Sequence, residues 1–132
     1  PVERALVEAL THRYASDPPE DRSALDRAFA DAMAEVWRRF PDDPDVGTLY
    51  AESLMVLHPW ELYTLDSEPA RDETLVIVDA LERVLALEPL HPGANHLYIH
   101  AVEPSREKER GIAAADRLGI VLVHTGARHF RH

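Results

Sequence analysis

Apolar residues recur every three or four positions along most of the chain, and prolines separate the runs in which they do so. Val2 to about Ala15 puts Ala5, Leu6, Ala9, Leu10 and Tyr14 on one stripe, which predicts an amphipathic first helix ended by Asp17-Pro18-Pro19. Ser23 is placed to cap a second helix running to about Phe40, with Leu25, Phe29, Ala32, Met33, Val36, Trp37 and Phe40 facing inward. Pro41-Asp42-Asp43-Pro44 breaks it, and Asp45 reads as the cap of a third helix to about Leu57. A fourth helix opens at Glu73 or Thr74 and ends at Glu88-Pro89. Pro92, tolerated in a first turn, starts a fifth that runs through Val102, and Ser105 reads as the cap of a sixth to about Leu118. No run alternates strictly in the manner of a strand, so the predicted class is all-α, with about six helices.

Two stretches lack this period. Residues 58–72 combine acidic side chains, two prolines and the pair Trp60 and Tyr63, and predict a long ordered loop over which Trp60 serves as the packing anchor. Residues 119–132 are ambiguous, with a short apolar run from Ile120 to Val123 and a breaker at Gly126.

Sliding the chain against itself by 48 residues aligns Asp31 with Asp79, Ala32 with Ala80, Val36 with Val84, Pro41 with Pro89, Pro44 with Pro92, and Leu49-Tyr50 with Leu97-Tyr98. Each unit is a helix, a Pro-x-x-Pro elbow and a second helix. The first proline cannot extend the helix before it, whereas the second suits the first turn of the next. A single domain over residues 1–132 follows, with repeat units at about 23–57 and 73–103 and a partial third at 105–132. Stacked units of this kind form a solenoid whose concave side is a binding surface.

The helix–proline–helix units, with small Ala32, Ala51 and Ala80 at close-packing positions, resemble tetratricopeptide repeats, although the period exceeds the ~34 residues of that family by the length of the 58–72 loop. The stretches FPDDPDVGTLYAESLM (40–55) and LEPLHPGANHLYIHAVEPS (87–105) are similar to a family of bacterial tetratricopeptide-repeat proteins. Its members carry an HPGA-x-H-x-YIHA-x-E string, here residues 91–103, and then an AADRL segment, here 114–118, followed by a His-rich turn. The resemblance covers about residues 25–132 and implies stacked antiparallel helical hairpins in a right-handed array, but no activity. Family members continue past the point where this chain stops, and the tail VHTGARHFRH departs from their more apolar turn, so the chain reads as a fragment or a shortened relative.

Composition removes several functions. There is no cysteine, which excludes disulfides, thiolate zinc sites and cysteine nucleophiles. The formal net charge of −10 and a strongly acidic segment 1–105 disfavour nucleic acid, and the alternating charges from Arg106 to Arg110 read as a solvated helix face. No stretch approaches the ~20 apolar residues of a membrane span, and PVERALVEAL lacks a signal-peptide pattern, so the expectation is a soluble, cytoplasmic protein. There is no phosphate-binding glycine loop and no G-x-S-x-G elbow.

Chemistry concentrates on the fifth helix. His96 and His100 stand four residues apart and Glu103 three further on, so one face offers two imidazoles and a carboxylate to a divalent metal such as zinc, copper, iron or manganese. His129 and His132 are candidates to complete a four-ligand set, against a frayed terminus as the alternative. The same face equally suits a polar groove in which the imidazoles meet neighbouring carboxylates. The zinc-peptidase pattern H-E-x-x-H is absent, since Leu97 follows His96. Relative to the first unit, His96, His100 and Glu103 replace Thr48, Glu52 and Met55. A second region joins Glu52 with His58, Trp60 and Tyr63, and with Asn95 and Tyr98 these form the expected lining of a groove.

Three functional expectations result: a groove that binds a peptide or partner protein, a metal site on the fifth helix, and self-assembly through the uncapped end of the array. The first is an inference from fold alone.

Overall fold

The computed structural model describes residues 1–121. Over these residues the chain is all-helical, with α1 (Val2–Thr11), α2 (Ser23–Arg39), α3 (Pro44–Leu57), α4 (Asp72–Leu87), α5 (Pro92–Val102) and α6 (Arg110–Leu118). Each helix packs on its neighbours in the chain, and α3 also touches α5. No strand occurs among the described residues; one isolated bridge pairs Tyr63 with Pro69 in the 58–72 loop.

The two elbows are built alike. Phe40 N–H donates to Val36 O and Asp43 N–H to Phe40 O at the first; Glu88 N–H donates to Val84 O and His91 N–H to Glu88 O at the second. Asp43 then caps α3, its Oδ1 accepting from Val46 N–H at 3.1 Å, and His91 caps α5, its Nδ1 accepting from Ala94 N–H at 3.0 Å. Pro44 and Pro92 each follow their cap in the first turn, where the missing N–H costs nothing. The cap of α3 is therefore Asp43 and not Asp45. With Pro44 already helical, the capping side chain must come from the residue before it.

The core runs through Met33, Val36 and Trp37 of α2, Val46, Ala51 and Leu54 of α3, Ile77, Leu81 and Val84 of α4, and Ile99, Ala101 and Val102 of α5. Gly47 marks the closest approach. A Cβ there would lie 2.5 Å from Val84 Cγ2 and 2.7 Å from Trp37 Cη2, so α3 passes between α2 and α4 only because that position carries no side chain. Gly93, at the start of α5, faces Thr48 of α3, which brings the second helices of the two units together.

The α4 helix starts one residue earlier than expected, at Asp72, and three other boundaries differ from the sequence expectation. The first helix stops at Thr11, where the Thr11 hydroxyl donates to Glu8 O at 2.6 Å and the following N–H groups turn back over three residues. It buries Ala5 and Ala9, leaving Leu10 and Tyr14 exposed. Ser23 is the first residue of α2, with Arg22 at the cap position; its N–H donates to Asp21 Oδ1 at 2.9 Å. Ser105 does not open the last helix. Its Oγ accepts from Glu107 N–H at 3.0 Å and donates to Val102 O, closing a local turn, and tight three-residue turns carry the chain to α6 at Arg110. That helix ends at Leu118, with Gly119 in the left-handed conformation (φ 68°) natural to glycine.

The 58–72 loop is ordered, but Leu62 anchors it instead of Trp60. Leu62 is 8% exposed and its carbonyl accepts from the buried Thr74 hydroxyl at 2.7 Å and from Ala70 N–H at 2.9 Å. Trp60, at φ 65°, keeps 65% of its surface in water. The outer side of the loop is tied down by ions: Arg71 pairs with Glu61, and Arg106 pairs with Glu68 at 2.8 Å.

Candidate functional site

One turn of α5 carries the imidazole pair. His96 is exposed and His100 half-buried; their ring centroids lie 4.8 Å apart with planes at 76°. Glu103, the C-cap of α5, puts Oε1 3.2 Å from His100 Nδ1. A carboxylate only accepts, so Nδ1 carries the proton, and in the neutral ring Nε2 keeps its lone pair. The three side chains thus meet in sequence, ring to ring and ring to carboxylate. Among the described residues, no group of three or more histidines and carboxylates is arranged to hold one metal ion. His129 and His132 lie outside the described residues.

The proposed groove residues separate into two kinds. Asn95 and Tyr98 point inward. Asn95 is fully buried, its amide donating to Pro89 O at 3.0 Å and to His91 O at 2.9 Å while Arg117 donates to its Oδ1, so its side chain locks the second elbow and the start of α5 together. Tyr98 is 6% exposed and donates to Glu82 Oε1 at 2.7 Å; Arg110 bonds the same carboxylate and lies over the Tyr98 ring. Burial pushes the Tyr98 phenol above its usual range, and burial does the same to Tyr63, against the opposing pull of Arg110. Tyr63, Ser105, Glu107, Arg110 and Tyr98 form a seam where the loop meets α5 and α6.

Glu52 and His58 face outward. Glu52 is exposed on α3, at the position that His100 holds in α5. His58, the C-cap of α3, lines a cleft of about 340 Å³ with Asp21, Arg22, Ser23, Asp26 and Arg27 from the start of α2 and Val56 and Leu57 from the end of α3. The Oδ1 of Asp26 is buried and ion-paired with Arg13 Nε at 3.4 Å, outside hydrogen-bonding geometry. Arg27 reaches across to Glu73 at 3.5 Å. The Glu73 carboxyl is held below the ordinary carboxylate value by its own backbone N–H at the start of α4 and then by Arg27 and His58.

His91 belongs to neither the metal set nor the groove set expected from the sequence, and the structure buries it at the junction of the units. The signal was present in the repeat register: His91 aligns with Asp43, and both follow the first elbow proline by two residues and precede the second by one. Asp26 falls inside the predicted second helix, and nothing in its local sequence marks it as cleft-lining.

Compared with protein-family models, with curated proteins and with solved structures, the chain matches none. Among the described residues, no helix is long and apolar enough to cross a membrane.

Proposed function

We propose that the protein is a tetratricopeptide-like binding module that holds a peptide segment of a partner protein, with the cleft between the start of α2 and the end of α3 as its seat. The observation that supports this reading is the composition of the cleft. Val56 and Leu57 offer apolar contact, Arg22, Arg27 and His58 offer donors, and Asp21 and Asp26 offer carboxylates. A peptide supplies an apolar side chain together with the N–H donors and carbonyl acceptors that such a lining can bond. The repeated elbows support the tetratricopeptide-like part of the proposal.

An immobilised peptide library probed with the full chain tests it. Peptides retained by the wild type and released by Leu57→Glu or Asp26→Ala, both checked for folding, support the cleft; a retention pattern identical in wild type and variants, or none at all, overturns it. Light scattering on the same samples reports self-association, and a concentration-dependent mass lost on substitution of Ile112 would assign the protein to assembly instead.

A second reading is favoured by one observation, the 4.8 Å approach of the His96 and His100 rings on an accessible face. It is a divalent-metal site on α5.

A further inference from the structure

We propose that His96 and His100 form a two-point clamp for a borderline divalent transition metal, copper(II), nickel(II) or zinc(II), in which Glu103 orients His100 and is not itself a ligand. The proposal deepens the metal reading of α5 and rests on it.

The spacing of the rings is the first argument. An imidazole nitrogen binds such ions at ~2.1 Å, which puts the ring centroid about 3.2 Å from the ion. Two imidazoles on one ion then have centroids roughly 4.5 Å apart for adjacent square-planar positions and about 5.2 Å apart for tetrahedral ones. The centroids of His96 and His100 are 4.8 Å apart, between those values. The two rings stand on consecutive turns of one helix, so little chain entropy remains to be lost when an ion joins them.

The carboxylate supplies the second. Metal-bound histidines generally donate the other ring N–H to a carboxylate or carbonyl, which sets the tautomer and raises the basicity of the ligating nitrogen. Glu103 Oε1, 3.2 Å from His100 Nδ1, occupies that role. With Oε1 engaged there, Glu103 serves as a positioning residue.

Chemistry selects the ion. Two neutral imidazoles favour copper, nickel and zinc over magnesium, calcium and manganese, which prefer oxygen donors. His96 is exposed and the His100 side chain is 42% exposed, so the remaining coordination positions open to water or to a donor group on a partner. The net charge of −10 favours approach of a cation.

Copper(II) titrated into the full chain, prepared without an affinity tag, tests the clamp through electron paramagnetic resonance and the thermal unfolding midpoint. The expected result is one ion coupled to two imidazole nitrogens, and a midpoint that rises with copper because the ion binds the folded helix. His96→Ala and His100→Ala should each leave at most one coupled nitrogen from α5 and abolish the rise, while His124→Ala/His129→Ala/His132→Ala together should change neither. Glu103→Ala should weaken binding about tenfold, and Glu103→Gln, which keeps an acceptor for Nδ1–H, should restore part of that loss. Binding abolished by only one of His96→Ala and His100→Ala keeps a metal site on α5 and overturns the clamp, whereas binding that survives both variants overturns clamp and metal reading together. Unchanged affinity in Glu103→Ala overturns the positioning role. No binding of copper, nickel or zinc by the wild type overturns clamp and metal reading together.

Discussion

His91 Nε2 donates to Asp45 Oδ1 across 3.1 Å while His91 Nδ1 accepts from Ala94 N–H, so one imidazole caps α5 and reaches back to the first turn of α3. Both contacts together require the neutral Nε2–H tautomer, because Nδ1 must keep its lone pair for the cap. His91 is 8% exposed and sits beside Asn95, whose amide bonds His91 O. The junction of the two helix–elbow–helix units therefore depends on three polar side chains, two of them buried.

His91→Ala should destabilise the fold by about 2–3 kcal/mol, combining a lost N-cap with a lost hydrogen bond and buried ring contacts. His91→Asn, which keeps a capping oxygen, should cost less. Asp45→Ala should cost under about 1 kcal/mol, because the Asp45 side chain is 82% exposed. Urea denaturation of the three variants checks the order.

Asn95→Ala should cost roughly 2–3 kcal/mol, since it strips the amide donors from Pro89 O and His91 O in a site closed to water. Amide hydrogen exchange should show the loss first at the start of α5.

Gly47→Ala should destabilise by about 1–3 kcal/mol or prevent folding, because the new Cβ would meet Val84 and Trp37 side chains locked in the core. Gly93→Ala, whose Cβ would lie 3.3 Å from Thr48 Cγ2, should cost less. A Gly47→Ala chain as stable as the wild type would contradict this packing; thermal unfolding decides.

Leu62→Ala should loosen the 58–72 loop and cost about 2–4 kcal/mol, whereas Trp60→Ala should cost less because most of its ring is already in water. Limited proteolysis near residue 66, compared between the two variants, reads the loop directly.

Stability should fall at high pH. Burial raises the phenol pKa of Tyr63 and Tyr98 in the folded chain, so the stability this confers is complete below the unfolded value near pH 10 and is lost as pH rises through the folded values. Absorbance at alkaline pH should show these phenols ionising together with unfolding. Tyr98→Phe, although less stable at neutral pH for want of its bond to Glu82, should lose stability less steeply above pH 10.

Much of the architecture was legible because proline is local chemistry. The pairs Pro41/Pro44 and Pro89/Pro92 place both elbows, and the bounds of α5 match the sequence reading residue for residue. Errors arose where helix ends depend on competing short-range hydrogen bonds, as at Thr11 and Ser105, since a hydroxyl can cap a helix or close a turn with equal ease. The histidine face of α5 was legible from its i,i+4 spacing. The inward turn of Asn95 and Tyr98 was not, because a polar residue on a helix reads as exposed until partners from other elements are known.

By itself, then, the sequence determined the helical class, the two like-built proline elbows and the face that His96 and His100 share, all consequences of backbone stereochemistry and a period of 3.6 residues. Tertiary structure alone decided that Gly47 is the contact point of three helices, that Leu62 anchors the loop, that Glu103 meets His100 Nδ1, and that Asp26 lies in a cleft. For Gly47, Leu62 and Asp26, burial and the supply of partners depend on segments distant in the chain; for Glu103, helical spacing allows contact with His100, but only the folded rotamers choose which ring nitrogen it meets.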